Sequence, residues 1–130
     1  MEIQDSDCLL ITGATGLVGS HVAEQARARG IRTRALVRAD SDTQLLETLG
    51  VERCVGDMTD ADAVRAAAAD ATLIVHCAAK VGDWGPTDAY RSVNVGGVEH
   101  MLAAVRSSGK LKRYVHISSL GVYPARDHHG

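Results

Sequence analysis

The 130-residue chain sets 14 Lys and Arg against 16 Asp and Glu, a formal charge of −2, and 45% of its residues are hydrophobic. That is one domain's worth of chain with an ordinary globular composition, so disorder is excluded, and there is no basic excess to grip a nucleic-acid backbone. No apolar run approaches the ~18 residues of a membrane-spanning helix, and MEIQDSD lacks the basic-then-apolar layout of a signal peptide, so a cytoplasmic protein is expected.

In chain order, CLLIT (Cys8 to Thr12) reads as a strand covered on both faces. A helix is expected from Leu17 to Arg29 and ends at Gly30. TRALVR (Thr33 to Arg38) is a second strand, and a short helix around Asp42 to Leu49 closes at Gly50. VERCV (Val51 to Val55) is a third strand. Asp60 or Thr59 then caps an alanine-rich helix running to about Ala69.

TLIVHCA (Thr72 to Ala78) is the strongest strand signal. After a loop with Gly82, Gly85 and Pro86, a helix from about Asp88 to Ser108 carries Val95, Val98, Met101, Leu102 and Val105 at three- and four-residue steps. Gly109 closes it, and KRYVHIS (Lys112 to Ser118) is a fifth strand. Five alternations of strand and helix imply parallel strands joined by right-handed crossovers, an open doubly wound α/β sheet. Ligands of such sheets sit beyond the carboxyl ends of the strands, where strand order reverses.

Cys8, Cys54 and Cys77 are widely separated, each within an apolar stretch, and read as buried reduced thiols rather than metal ligands or disulfides. His128 and His129 have no third ligand at metal spacing, and no metal is expected. His21, His76, His100 and His116 fall on helices or strands and read as packing residues.

The first strand runs into TGATGLVGS, with Gly13, Gly16 and Gly19 three apart at the mouth of the first helix. Gly13 suits the tight turn, Gly16 the approach of a pyrophosphate, and Gly19 close helix–strand packing; the helix N-terminus offers free N–H groups and a positive dipole end. TGATGLVG resembles the TGxxGxxG cofactor turn of the extended short-chain dehydrogenase/reductases, the group of sugar-nucleotide epimerases and 3β-hydroxysteroid dehydrogenases. GDMTD, HCAAKVGDWG, VNVGGVEHMLAA and HISSLGVYP match further motifs in order, with Gly97 where the family usually has Thr.

The resemblance implies a Rossmann-like NAD(P)-binding domain over residues 1–130 with five strands present and the C-terminal part missing, the N-terminal portion of a longer chain. It implies cofactor contacts at Gly13, Thr15, Gly16, Leu17 and Val18, at Asp57 and Met58 around the adenine, and at Ala78, Ala79, Asn94 and Ser118. Asp57 could instead cap the next helix, and Asn94 could be a helix-surface amide. Trp84 could line a substrate pocket or anchor a loop.

Arg38, at the end of the second strand, suits a 2′-phosphate and so NADP. In the alternative, Arg38 faces solvent, Asp40 takes the ribose and the cofactor is NAD.

The family's fifth strand ends in a residue that hydrogen-bonds the reacting oxygen; Ser119 matches it, the one catalytic residue expected here. The proton passes through a tyrosine with a lysine four residues on. Tyr90, Tyr114 and Tyr123 are followed at that spacing by Asn94, Ser118 and Asp127, so the sequence holds no such pair. The resemblance therefore implies a parent oxidoreductase of the epimerase/dehydratase type. It would transfer hydride at a carbinol or carbonyl carbon of a small or steroid-like substrate, and the parent is compatible with a homodimer. The isolated 130 residues would be inactive and prone to aggregate. A non-catalytic dinucleotide-binding sensor or interaction module is the alternative.

Overall fold

CLLIT forms β1 (Cys8–Thr12) and is buried along its whole length, because it is the central strand and helices cover both its faces. The computed structural model describes residues 3–77 and 96–117. The expectations for Ala78, Ala79, Trp84, Asn94, Ser118, Ser119, Tyr123, His128 and His129 lie outside those residues.

After β1 come α1 (Leu17–Ala28), β2 (Arg32–Val37), α2 (Gln44–Leu49), β3 (Glu52–Val55), α3 (Ala61–Ala68), β4 (Leu73–His76), α4 (Gly97–Ser108) and β5 (Arg113–His116). All four strand pairings are parallel, in the order β3-β2-β1-β4-β5. The expected doubly wound α/β sheet is what forms. Strand order reverses between β1 and β4, which places a crevice at the carboxyl ends of those two strands.

Alternation along the strands divides the core between the two faces. Leu9, Ile11, Ala35, Val37 and Leu73 pack against Ala23 and Ala26 of α1 and Leu46 of α2. Leu10, Leu36 and Ile74 pack on the other face against Val64, Ala67 and Ala68 of α3 and Met101 and Ala104 of α4. Small residues on α1 and α3 let these helices lie close to the sheet. Gly30, Gly50 and Gly109 close their helices at positive φ, where a β-carbon would be strained.

Several expectations shift at the edges. β2 ends at Val37, so Arg38 stands just beyond the strand, and β4 ends at His76. β3 and β5 are four residues each and largely exposed, being the outermost of the described strands. Asp60, not Thr59, caps α3, accepting from the N–H groups of Asp62 (3.0 Å) and Ala63 (3.3 Å).

Only Cys8 of the three free thiols is fully buried, and Cys54 and Cys77 are half-buried. Of the four histidines expected on helices and strands, His21 and His116 are exposed. No helix among the described residues is long and apolar enough to cross a membrane.

At the amino ends of the strands, buried Asp7 ties three segments together. Its carboxylate accepts from the Gln4 N–H (2.8 Å) and the Thr72 hydroxyl (2.9 Å) and pairs with Lys112 Nζ (2.9 Å). The Gln4 N–H and the Lys112 ammonium hold its pKa down at about 2. This cluster lies at the opposite end of the sheet from the crevice.

Candidate dinucleotide site

At the carboxyl end of β1 the backbone turns at Gly13 with φ 71°, and the Gly16 N–H returns to the Gly13 carbonyl at 3.1 Å. Gly16 is the N-cap of α1, in extended conformation (φ −81°, ψ 176°), without a side-chain cap and without an acid in the first helical turn. The N–H groups that open α1 therefore have no carboxylate of their own, unlike those of α3, which Asp60 satisfies. Uncapped donors and the positive end of the helix dipole point at the crevice together, which suits a phosphate.

Gly16 and Gly19 serve different ends. A β-carbon at Gly19 would overlap the Gly13 carbonyl oxygen and sit 2.8 Å from Ala14 Cα, so α1 approaches its own turn only because residue 19 has no side chain. At Gly16 the nearest atom would be the Gly13 carbonyl oxygen at 3.4 Å, an ordinary contact. Folding thus demands glycine at 19, whereas packing leaves room for a β-carbon at 16.

Beside the turn is a cleft of about 430 Å³, lined by Thr15 and Ser20 from the β1–α1 side and by Arg38, Ser41, Asp42 and Leu45 from the β2–α2 side. Arg38 Nε lies 3.8 Å from Asp40 Oδ1, with both side chains mostly exposed. Such a surface pair holds the guanidinium weakly. Asp40 is absent from the cleft lining; Asp42 is the carboxylate that reaches it, its Oδ1 accepting the Gln44 N–H at 3.1 Å. The sequence offers Arg38 for a 2′-phosphate or Asp40 for the ribose; Ser41 and Asp42, which line the cleft, are assigned no role there by the sequence. Their position just past a strand in a doubly wound sheet was the available signal.

Beyond β3, Asp57 does not cap α3. Its Oδ1 accepts from the Thr59 N–H (3.0 Å) and hydroxyl (3.1 Å), which fixes the carboxylate in a tight turn. Met58 is buried in the α3–α4 core, its carbonyl bonded to His100 Nδ1 at 2.9 Å. Leu17 and Val18 have exposed side chains on one flank of α1. That flank lines a second, almost wholly apolar hollow of about 620 Å³ with Val22, Ala26 and Ile31. Its carbon lining makes it a packing surface rather than a phosphate site.

Sequence reasoning also missed a polar link across the crevice. Thr12 Oγ1 lies 2.6 Å from His76 Nδ1, and the Cys77 N–H is shared between the Thr12 carbonyl (3.0 Å) and hydroxyl (3.1 Å). His76 is 1% exposed. Burial, with a lesser contribution from nearby His116, lowers its pKa to about 4, so the ring is neutral at pH 7.

Comparison with known proteins gives a consistent picture. The family model of the NAD dependent epimerase/dehydratase family matches residues 9–129. Sterol demethylase protein B of Methylococcus capsulatus is 37% identical over 113 residues, covering 86% of this chain and 34% of that protein. A 3 beta-hydroxysteroid dehydrogenase/Delta 5-->4-isomerase of Mycobacterium tuberculosis is 37% identical over 121 residues, covering 88% of this chain and 32% of that protein. Among solved structures, a short-chain dehydrogenase/reductase superfamily protein from Agrobacterium tumefaciens with bound NAD superimposes with a TM-score of 0.75 at 32% identity. That match covers 90% of this chain and 34% of the other. The chain thus spans about a third of the length of the curated relatives it matches.

Proposed function

This chain belongs to the NAD dependent epimerase/dehydratase family, and from that membership we propose that residues 1–130 are the dinucleotide-binding domain of an NADP-dependent oxidoreductase. The observation that carries the proposal is the uncapped N-terminus of α1 facing the Gly13–Gly16 turn, beside a cleft that holds Arg38. Gly13, Thr15 and Gly16 would cradle the pyrophosphate with the first N–H groups of α1, those of Leu17 and Val18. Arg38 would pair with a 2′-phosphate, its fork matching the phosphate oxygens. The Asp57 carboxylate and the Met58 N–H would meet the donor and acceptor on the adenine edge.

Ala78, Ala79, Asn94 and Ser118 would stand at the nicotinamide end, and Ser119 would hydrogen-bond the reacting oxygen of the substrate. When bound, the nicotinamide supplies a hydride to, or takes one from, a carbinol or carbonyl carbon. No tyrosine of these 130 residues is followed by a lysine four positions on, and in this reading the parent would supply the proton-carrying pair. Two relatives named for sterol and steroid chemistry support a steroid-like or other small substrate. A homodimer of the parent belongs to the same proposal.

Titration of the protein with NADP and with NAD tests it. NADP should bind at least about tenfold more tightly, a difference of ~1.4 kcal/mol, and Arg38→Ala should erase the preference while leaving NAD unchanged. Equal affinities that Arg38→Ala does not alter would remove the NADP assignment in favour of NAD.

A further inference from the structure

The last residues of β1 and β4 are register partners, Thr12 with His76, and β5 continues the row with His116. These two strands bound the crevice where the crossovers part. Thr12 is followed at once by the Gly13 turn, so whatever fixes Thr12 also fixes the start of the phosphate cradle. His76 is well placed to do so. Its ring is buried, 5.1 Å between centroids from the ring of His116 and 6.4 Å from that of Tyr114, and the Ile117 N–H holds its carbonyl at 3.0 Å. Movement of the imidazole away from Thr12 would therefore disturb its contact with the His116 ring on β5. Its Nδ1 meets the Thr12 hydroxyl at 2.6 Å, and the same hydroxyl accepts the Cys77 N–H, which draws the chain leaving β4 toward the turn leaving β1.

We propose that His76 is a positioning residue for the dinucleotide: through the Thr12 hydroxyl it holds the Gly13 turn at a set distance from the end of β4. The inference rests on the cofactor reading above. It differs from packing alone in one respect: a bond that serves only stability would move unfolding and leave the affinity of the folded protein untouched. Thr12→Val takes from the buried His76 Nδ1 its Thr12 partner, and His76→Leu takes from the hydroxyl its hold on β4, so the two act as one unit.

The test is an NADP titration of the wild-type protein and of Thr12→Val, Thr12→Ser, His76→Leu, His76→Asn and the Thr12→Val/His76→Leu double variant, with the urea midpoint of each. Thr12→Val and His76→Leu should each weaken binding about tenfold, or ~1.4 kcal/mol. The double variant should be no weaker than either single one. Thr12→Ser, which restores the hydroxyl, and His76→Asn, which restores a polar atom near Nδ1, should recover most of the loss. Unchanged affinity in folded Thr12→Val, or losses that multiply in the double variant, would overturn the inference while leaving the cofactor reading intact. If His76→Leu does not fold, His76→Met takes its place, because Thr12→Val also removes an acceptor of the Cys77 N–H. A wild-type protein that binds neither NADP nor NAD would overturn the cofactor reading and this inference with it.

Discussion

Gly97 of α4 lies directly against Met58: a β-carbon at position 97 would stand 3.0 Å from Met58 Cβ and 3.1 Å from its Cε. Where the motif that VNVGGVEHMLAA resembles has Thr, this chain has glycine, which leaves room for the Met58 side chain. Cβ is the fixed root of the Met58 side chain and cannot move aside as its tip can.

Gly97→Thr should therefore destabilise the protein by roughly 1–3 kcal/mol, the usual cost of overpacking. Thr is little better than Gly as a helix former, so propensity offsets little of that. Adding Met58→Ala should recover part of the loss. Urea unfolding of the two variants checks this, and additive losses would show that the residues do not share the space.

Asp7 makes a second prediction through pH. Its folded pKa of about 2 lies below the ordinary 3.8, so its contribution is fully present above 3.8 and is lost as pH falls through about 2. Urea midpoints should drop between pH 4 and 2, and Asp7→Asn should flatten that drop while lowering the plateau above it. Lys112→Met should lower the plateau too, with a smaller effect on the slope, since the Gln4 N–H remains.

His76 acts in a separate window. Its folded pKa of about 4 is below the ordinary 6.5, so the unfolded chain takes up the proton first. Stability is fully present above pH 6.5 and declines as pH falls from there to about 4, before Asp7 begins to titrate. The groups facing its ring from β1 and β5 are Thr12, Tyr114 and His116. His76→Asn should remove this upper part of the decline in urea midpoint and leave the part below pH 4.

Val115 and Ile117 are 40% and 38% exposed at the end of the sheet, and Leu17 is 78% exposed on the open flank of α1. Exposed apolar side chains at such positions favour association. Sedimentation should show concentration-dependent self-association that Val115→Thr with Ile117→Thr reduces; a monomer at every concentration would contradict it.

The parts of the fold that were legible in the sequence are those set by neighbours in the chain. The continuous apolar run of β1, the glycine stops after α1, α2 and α4, and the Asp60 cap each depend on residues within a turn or two. What was not legible depends on register between distant strands. Thr12 and His76 meet across 64 residues, and nothing local marks Thr12 as more than the end of a strand. The edge strands were read too long because VERCV and KRYVHIS carry β-forming residues whose exposure follows from their place outermost among the described strands. For the same reason His116 proved exposed and Cys54 only half-buried. The Gly13 bend and the Gly19 packing were legible, but which carboxylate enters the cleft was not: Asp40 and Asp42 differ only in how the chain bends after Arg38.

The contrast between Gly19 and Gly16 tests the central claim most directly. Gly19→Ala should cost at least about 3 kcal/mol of stability, because its methyl meets backbone that cannot yield. Gly16→Ala has room for its methyl and a backbone conformation open to alanine, and should lose about 1 kcal/mol or less, as for an altered N-cap. The decisive measurement is the NADP affinity of Gly16→Ala. A loss beyond about a hundredfold, ~2.7 kcal/mol, at a nearly unchanged urea midpoint would show that this glycine is kept for the phosphates. Wild-type affinity in the same variant would contradict the placement of the dinucleotide on this turn.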